Sequence, residues 1–382
     1  MMRVAIFGSG LMGATIAQDL VRAKEVDQVT VYDIDSGRLR ALTRRESSSK
    51  LATRVHDVSN RGKTASLLRK CDVGVGALPH GLSEHAISSV IKARVNFVDL
   101  IFGWRFGQAE INSACKRKRI TIIPACGLAP GLTNILAMQA AEQMERVDEV
   151  HIKVGGIPEK PKPPLNYRIV FSFQAVLEEY LRKARIIKNR RLVDVPALSG
   201  LETINFPQPI GKCECFYTDG LSTLIQTIRN TREMDEKTIR WPGHAEQIRT
   251  LIDCGLLETK PVTYNNRSIT PREFVSNMLS EKLALGKDRD LTLLRVEVSG
   301  KKNGKTTHHR YQMIDNYDSR HGITSMARTT AFPCSIAAQI LASGRIQRKG
   351  LVPPEIAFRA DLRKELLDYV EERGMIIESR SR

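Results

Sequence analysis

Apolar positions near the N-terminus follow two different periods. Val4 to Phe7 is a continuous apolar run, as is Val29 to Tyr32, and such short runs are typical of buried strands. Between them, a segment through residues 19–21 has the spacing of an amphipathic helix. The pattern predicts a strand–helix–strand unit at the start of the chain.

Similar apolar runs recur up to residue 126. Further strands are predicted at Leu51–Val58, Val73–Leu78, Asn96–Leu100 and Ile120–Pro124, with helical stretches between most of them. Alternating strands and helices are typical of an α/β domain with a doubly wound parallel sheet. Such a sheet binds its ligand at the carboxyl ends of its strands.

Three glycines follow the first strand with the spacing of a dinucleotide-binding loop. Gly8 permits a tight turn, Gly10 lets the backbone approach a pyrophosphate, and Gly13 lets the helix pack closely on the strand. Leu11 and Met12 begin the helix, whose free N–H groups bind phosphate oxygens. We predict an NAD-binding Rossmann domain over residues 1–126; the alternative is a similar unit with an empty crevice.

Asp33 ends the second predicted strand, twenty residues after the last loop glycine. A carboxylate there accepts hydrogen bonds from the adenosine ribose and repels a 2′-phosphate, which favours NAD as the cofactor. Arg38 and Arg40 follow closely and either soften that preference or lie on a solvated helix face. Other residues at predicted strand ends complete the expected cofactor site: Asp57, Leu78 and Pro79.

After residue 126 the pattern becomes mixed. A helix is predicted over Leu132–Met144, a strand over Val150–Val154, and a loop over the Pro/Gly-rich residues 155–164. Two β-patterned runs flank an Asn-Gly pair at 303–304, which is typical of a hairpin. We expect a second, α+β domain with a largely antiparallel sheet over residues 127–330, followed by a helical tail.

Composition and charge narrow the function. The net charge is +17, but the basic residues are dispersed and aromatic residues make up only 5%, so we expect no nucleic-acid partner. No apolar run is long enough to span a membrane, and the first strand begins at once, so we expect a cytoplasmic protein. The seven scattered cysteines include no C-x-x-C pair, which argues against a disulfide framework and a metal site.

Several longer motifs carry a family resemblance. They are Pro124–Asn134 (P-A-C-G-L-A-P-G-L-T-N), Gly155–Pro158, Tyr217–Leu221, Lys237–His244 (K-T-I-R-W-P-G-H) and Ala327–Pro333. In the order and the residue content of these motifs, the chain resembles the saccharopine dehydrogenase family over nearly its whole length. Within that family it resembles the lysine 6-dehydrogenase branch.

The resemblance implies a reaction and an assembly. The reaction is NAD-dependent oxidative deamination of the L-lysine ε-amine to 2-aminoadipate 6-semialdehyde and ammonia. The resemblance also implies a homodimer, with residues 127–330 serving substrate binding and dimerisation and residues 331–382 returning to the nucleotide domain.

Three residues are candidates for the chemistry. Asp99 ends the fifth predicted strand and either contacts the substrate amine or caps the next turn. Cys126 lies on the same rim and is expected to line the site without acting as a nucleophile. His244 is expected to transfer protons near neutral pH; the alternative is a hydrogen bond to the backbone at a helix end.

Other residues are candidates for substrate binding. Arg240 is expected to hold the substrate carboxylate, since a guanidinium binds a carboxylate through two hydrogen bonds; the alternative is a structural salt bridge. Thr218 and Asp219 either bind the substrate amines or cap a turn, and Tyr167 and Phe171 either form an apolar wall or pack in the core. We expect no metal.

Two other readings stay open. A saccharopine dehydrogenase or a carboxyspermidine-type reductive condensing enzyme would share the same build but join or split a secondary amine. A non-catalytic nicotinamide-sensing binding protein would bind the dinucleotide without turnover.

Overall fold

The computed structural model describes residues 2–101 and 108–382. The chain divides into two compact units, a first unit of Met1–Glu142, Ser222–Arg229 and Ala327–Ile376, and a second unit of Gln143–Leu221, Asn230–Met326 and Ile377–Arg382.

Strands and helices alternate along the first 142 residues. They are β1 (Met2–Phe7), α1 (Leu11–Leu20), β2 (Val26–Asp33), α2 (Ser36–Arg45), β3 (Leu51–Val55), α3 (Arg61–Leu68), β4 (Val73–Gly76), α4 (His80–Ala93), β5 (Asn96–Asp99), α5 (Gln108–Lys118), β6 (Thr121–Ile123) and α6 (Leu132–Ala141).

Strands predominate in the middle of the chain. The elements are β7 (Arg146–Pro158), α7 (Phe173–Leu181), β8 (Ala184–Lys188), β9 (Arg191–Val195), β10 (Glu202–Asn205), β11 (Lys212–Tyr217), α8 (Leu224–Thr227), β12 (Glu233–Arg240), α9 (His244–Asp253), β13 (Val262–Tyr264), β14 (Arg267–Ile269), α10 (Pro271–Lys282), β15 (Asp290–Lys302) and β16 (Lys305–Asn316).

The C-terminal part of the chain is mainly helical. It contains α11 (Ser325–Ala342), β17 (Gly350–Leu351), α12 (Pro354–Ala357), α13 (Asp361–Glu372) and β18 (Glu378–Ser381).

The first unit is built on a parallel sheet. In the described residues its strand order is β17-β6-β5-β4-β1-β2-β3, and every neighbouring pair is parallel. Residues 4–7 and 73–76 are buried because helices cover parallel strands on both faces. The prediction of a doubly wound Rossmann sheet is confirmed.

Some predicted strands are shorter in the structure. The third ends at Val55, and the fourth ends at Gly76 instead of Leu78. Gly76 pairs with Phe7 on one side and with Asp99 on the other, and both of those strands also end there. The strand pairing therefore stops at one level, and the residues beyond it are free to form the rim.

The second unit contains a mixed sheet of order β10-β11-β12-β7-β15-β16-β18, with β8 and β9 beside β12. Among its described strand pairs, β7–β12 is parallel and the others are antiparallel, so the prediction of a largely antiparallel sheet is confirmed. The hairpin at Asn303-Gly304 is also confirmed, and both residues have positive φ. The predicted loop over 155–164 is partly wrong, because β7 continues to Pro158 between β12 and β15.

Residues near the C-terminus pack within the first unit. Arg373 Nε donates to Asp19 Oδ1 over 2.7 Å, and the Ser335 hydroxyl donates to the other oxygen of the same carboxylate. These bonds fix α11 and the end of α13 to α1. In the described part of the chain, no helix has the length and apolar character needed to cross a membrane.

Candidate functional site

The glycine loop of the first unit has no room for a side chain at two of its glycines and has free space at the third. Gly8 has φ +100°, and a Cβ there would lie 2.3 Å from the Ala77 carbonyl oxygen. A Cβ on Gly13 would lie 2.0 Å from the Gly8 carbonyl oxygen. A Cβ on Gly10, by contrast, would meet no described heavy atom within 4 Å. The loop therefore leaves space at the position where a pyrophosphate approaches the backbone.

The start of α1 suits an anion. Gly10 precedes the helix without a side-chain cap, and the first turn carries no acidic residue. Leu11 is exposed and Met12 is half-buried, so they leave the end of the helix accessible. Its first N–H groups have no partner within the helix, which makes this end a binding site for phosphate oxygens. The residues present fit a bound dinucleotide.

Asp33 is fixed in the position expected of the ribose-binding acid. Its Oδ2 accepts hydrogen bonds from the Ser9 N–H (2.6 Å) and the Ser9 hydroxyl (2.8 Å), and its Oδ1 accepts from the Asp35 N–H (2.8 Å). Burial raises the pKa of Asp33, but the N–H groups of Asp35 and Ser9 outweigh burial and lower it overall. The carboxylate is therefore charged at neutral pH.

Two arginines follow Asp33 and are engaged at the start of α2. Arg38 Nε lies 3.3 Å from Asp35 Oδ2, and Arg40 Nη1 donates to the Ser36 hydroxyl over 3.1 Å. Both arginine side chains are exposed. Arg38 is therefore paired with Asp35, and its charge also helps to lower the pKa of Asp33, after the hydrogen bonds from Asp35 and Ser9.

The other predicted cofactor residues lie where the strands end. Asp57 is exposed and accepts a backbone N–H over 2.8 Å in the turn before α3. Leu78 is buried beside Gly8, and Pro79 is exposed directly before α4. Their binding roles stay predictions.

Asp99 ends β5 and is fully buried. Its Oδ1 accepts from the Ile101 N–H over 2.8 Å, and the Ser83 hydroxyl lies 3.3 Å from Oδ2. The turn and α4 therefore hold this carboxylate in one orientation at the rim of the parallel sheet.

Cys126 lies on the same rim, just after β6. It is 1% exposed, and its N–H donates to the Asp99 carbonyl oxygen over 2.9 Å. Burial, and then the nearby Glu355, raise the pKa of the Cys126 thiol far above its ordinary range. A thiol held protonated lines a site but is a poor nucleophile.

The second unit contains a buried network around Arg240. Arg240 ends β12 and is 2% exposed, and its Nε donates to the Tyr180 hydroxyl over 2.7 Å. Its guanidinium carbon lies 5.0 Å from the centre of the Tyr167 ring. In the part of the chain that the structure describes, Arg240 forms no ion pair with a carboxylate. No carboxylate of the described residues therefore contacts this buried charge directly.

His244 belongs to the same network at the start of α9. Its Nδ1 lies 2.7 Å from the Leu165 carbonyl oxygen and its Nε2 lies 2.9 Å from the Tyr180 hydroxyl. Nδ1 therefore carries the proton, and Nε2 accepts from Tyr180. Burial, and then the Arg240 charge, lower the pKa of His244 to about 3.

This pKa removes the basis for proton transfer by His244 near neutral pH. That expectation assumed an unperturbed imidazole, whereas the buried ring stays neutral and both nitrogens have partners. The observed contacts suit a positioning residue for Tyr180 and, through it, for Arg240.

The remaining predicted substrate residues have structural partners. Thr218 Oγ1 lies 2.9 Å from the Thr238 hydroxyl, and Asp219 forms ion pairs with Arg182 (3.2 Å) and Arg185 (3.0 Å). A carboxylate already paired with two cations is poorly suited to bind a substrate amine.

Tyr167 and Phe171 pack in the apolar core beside α7. Tyr167 is 1% exposed and also packs on His244, with 5.2 Å between the ring centres. The structure thus places Tyr167 beside Arg240 and His244, whereas Phe171 packs only against the edge of the core cluster in the described contacts.

Three functional candidates were missed at the sequence level: Glu179, Tyr180 and Glu236. Tyr180 joins Arg240 to His244, and Glu179 accepts a hydrogen bond from the Thr238 hydroxyl. Glu236 is 5% exposed, and its Oε2 has no hydrogen-bond partner among the described residues. The available signal was the strand 233–240, which is buried although it carries mainly charged residues.

Comparisons with protein families match both halves of the chain. Residues 4–123 match the saccharopine dehydrogenase NADP binding domain, and residues 127–375 match the saccharopine dehydrogenase C-terminal domain. Together these matches span almost the whole sequence.

Curated relatives are distant. Alpha-aminoadipic semialdehyde synthase, mitochondrial, from Mus musculus is 20% identical over 450 residues, covering 99% of this chain and 48% of that protein. Saccharopine dehydrogenase (NADP(+), L-glutamate-forming) from Saccharomyces cerevisiae is 22% identical over 423 residues, covering 92% of this chain and 93% of that protein. The chain thus spans about half the length of the animal relative and nearly the full length of the yeast one.

Two solved structures share the fold. Apo saccharopine dehydrogenase (L-Glu forming) from Saccharomyces cerevisiae has a TM-score of 0.83 at 18% identity and is covered over its full length, as is this chain. Homospermidine synthase from Legionella pneumophila in complex with NAD has a TM-score of 0.69 at 11% identity, covering 99% of this chain and 91% of that one.

Proposed function

Because the chain belongs to the saccharopine dehydrogenase family, we propose that it catalyses NAD⁺-dependent oxidative deamination of the L-lysine ε-amine. The products are 2-aminoadipate 6-semialdehyde and ammonia. Family membership makes the chain a nicotinamide-dependent oxidoreductase; lysine as the substrate and NAD⁺ as the coenzyme are the proposal.

The observation that supports an amino acid as the substrate is the buried Arg240 side chain, which has no ion pair with a carboxylate in the described residues. A buried charge without a counter-ion costs several kcal/mol, so it persists only where something else requires it. Tyr180 and the Ile239 carbonyl oxygen orient the guanidinium through Nε and Nη1. A substrate α-carboxylate is the counter-ion that this guanidinium lacks.

The reaction also needs a group that removes a proton from the ε-ammonium, because hydride leaves readily only from a carbon beside a neutral amine. We assign this step to Asp99, whose carboxylate is held at the end of β5. Bound nicotinamide supplies the hydride acceptor. Asp99 passes that proton on to solvent before it accepts a second proton from the water that adds to the iminium, and it returns the second proton to the departing ammonia. The protonated Cys126 thiol lines the site without competing for that carbon.

The coenzyme is proposed to be NAD⁺. Asp33 is ionised and occupied by donors that fix its orientation, and Arg38 is paired with Asp35. A 2′-phosphate placed beside Asp33 would meet the negative charge of this carboxylate, on which Arg38 also acts. The name of the matching family domain mentions NADP, so the choice between NAD⁺ and NADP⁺ needs a test of its own.

Saccharopine oxidation is the second candidate. The names of the yeast relative and of the structural neighbour favour it. Saccharopine carries the same α-amino-acid end as lysine, so Arg240 fits both substrates. They differ at the ε-nitrogen, where saccharopine carries a 1,3-dicarboxypropyl group and is a secondary amine.

The two candidates are separated by initial rates of NADH formation with L-lysine and with L-saccharopine as sole substrate. The proposal predicts absorbance at 340 nm with lysine, with kcat/KM for lysine at least about tenfold above that for saccharopine. Turnover of saccharopine alone would replace lysine by the second candidate. Binding of NADH without turnover of either compound would leave the proposed activity without support.

A further inference from the structure

One face of β12 presents a row of buried polar side chains. Alternate residues of a strand share a face, so Glu236, Thr238 and Arg240 lie on the same side. Helix α7 packs along this row. Its Tyr180 accepts from Arg240 Nε, and its Glu179 accepts from the Thr238 hydroxyl. Glu179 therefore meets the row at its middle, one strand repeat from Arg240.

The charges in this row are unequally compensated. Asp219, which lies outside the row, is paired with Arg182 and Arg185. Arg240 has no carboxylate partner, and Glu179 forms no ion pair with any residue that the structure describes. Glu179 is nevertheless close enough for its charge to contribute to the raised pKa of Arg240. A cation and an anion thus lie near each other, and each has its closest partner in a neutral hydroxyl.

This arrangement matches the two charges at the head of an α-amino acid. We propose that Glu179 and Arg240 together form a recognition site for this head, in which Glu179 accepts hydrogen bonds from the α-ammonium and Arg240 binds the α-carboxylate. Thr238 holds one oxygen of Glu179 and leaves the other available. Glu179 is a specificity-determining residue that sequence patterns did not indicate.

The site deepens the proposed function and rests on it, because it identifies which end of the substrate the second unit reads. It requires both charges on one carbon. Cadaverine lacks the carboxylate that Arg240 binds, and 6-aminohexanoate lacks the ammonium that Glu179 binds. Both should therefore bind weakly, although each keeps a reacting amine.

The test measures binding instead of turnover. L-Lysine, 6-aminohexanoate and cadaverine are titrated calorimetrically into the full chain saturated with NADH, so that no oxidation occurs. A hydrogen bond to a charged group is worth about tenfold to a hundredfold in affinity. We expect Glu179→Gln to reduce the preference for lysine over 6-aminohexanoate by at least about tenfold, with the affinity for 6-aminohexanoate changing less than about twofold.

The matched control is Glu178→Gln, which removes the same charge from the neighbouring, exposed position of α7. It should leave the preference unchanged. A second variant, Arg240→Met, should reduce the preference for lysine over cadaverine and leave cadaverine binding unchanged. This variant keeps the proposal testable if Glu179→Gln does not fold.

Equal losses of lysine and 6-aminohexanoate affinity in Glu179→Gln, or no loss of either, would overturn the assignment. Failure of the proposed function gives a different result, namely no binding of lysine. In that case the recognition site is tested with L-saccharopine and N-(5-carboxypentyl)-L-glutamate, which lacks only the lysine-side α-amino group. The measured quantity is the ratio of their two affinities in the wild type and in Glu179→Gln. If neither lysine nor saccharopine binds, the recognition site is refuted as well.

Discussion

Arg240 is held by a directional chain of hydrogen bonds. Its Nε donates to Tyr180, the Tyr180 hydroxyl donates to His244, and His244 donates to the Leu165 carbonyl oxygen. Tyr180 and the neutral His244 each have a single donor, and both donors are used in this chain of hydrogen bonds. The arrangement therefore requires His244 to be neutral, because a protonated ring could not accept from Tyr180. Burial secures that state by lowering the pKa of His244 to about 3. His244, which was expected to transfer protons, instead helps to hold the Arg240 side chain in place.

Asp33 gives a direct prediction on coenzyme choice. Asp33→Asn keeps an oxygen for the Ser9 donors but removes the charge. We expect NADH affinity to fall and NADPH affinity to change little, so that their ratio shifts by about tenfold toward NADPH. Fluorescence titration with each coenzyme measures the ratio, and Glu25→Gln, an exposed site before β2, is the control. An equal loss for both coenzymes would remove the assignment of NAD⁺.

Glu236 gives a prediction on stability. Burial, and then the Glu179 and Asp219 charges, raise the pKa of Glu236 well above its ordinary value of 4.5. The folded chain therefore keeps a proton that the unfolded chain loses above about pH 4.5. The stability contribution of Glu236 is complete below that pH and is lost as the pH rises toward the folded pKa.

The variant Glu236→Gln should remove this pH dependence. We compare the free energy of unfolding of Glu236→Gln with that of the wild type at pH 5 and at pH 8. The difference between the two proteins should be larger at pH 8, in favour of the variant, by at least about 1 kcal/mol, since one pKa unit corresponds to about 1.4 kcal/mol. Denaturant titrations at the two pH values give this difference. Glu178→Gln should track the wild type. A constant offset between Glu236→Gln and wild type would show that Glu236 ionises normally in the folded chain.

The elements that the sequence predicted well are those whose conformation is determined by residues close together in the chain. The glycine loop and α1 follow from three glycines within six residues, and the β15–β16 hairpin follows from Asn303-Gly304. Strand β12 did not follow from its pattern, because its buried polar groups contact α7, more than fifty residues earlier in the chain. Hydrophobic periodicity indicates which side chains are buried away from water, so it fails where polar side chains are buried against one another.

The glycine loop gives a prediction that separates folding from binding. A Cβ at position 10 enters open space, so Gly10→Ala should fold with an unchanged melting temperature. The same methyl group occupies the approach of the pyrophosphate, and NADH affinity should fall by at least about tenfold. Gly62→Ala in α3, where the added Cβ has ordinary contacts, should leave NADH affinity unchanged and should not lower the melting temperature. Unchanged NADH affinity in Gly10→Ala would contradict this placement of the dinucleotide.

Sequence patterns alone predict the fold of the first unit, whereas the proposed reaction also depends on the resemblance to a known family. Alternating elements and the strand-end rule predicted the first unit and the positions of Asp33 and Asp99. The proposed reaction came from the family resemblance of motifs in both units, and contacts such as Tyr180 with Arg240 appear only when distant segments fold together. Neither source separates lysine from saccharopine, since both compounds carry the same α-amino-acid end.

The most direct measurement of the central claim follows the hydrogen that leaves the substrate. The chain is incubated with NAD⁺ and L-[6,6-²H₂]lysine, and the reduced coenzyme and ammonia are quantified by mass spectrometry and by a coupled assay. Oxidation at the ε-carbon predicts one deuterium in each reduced coenzyme and one ammonia per turnover. Reduced coenzyme without deuterium, or none unless saccharopine is supplied, would contradict the account.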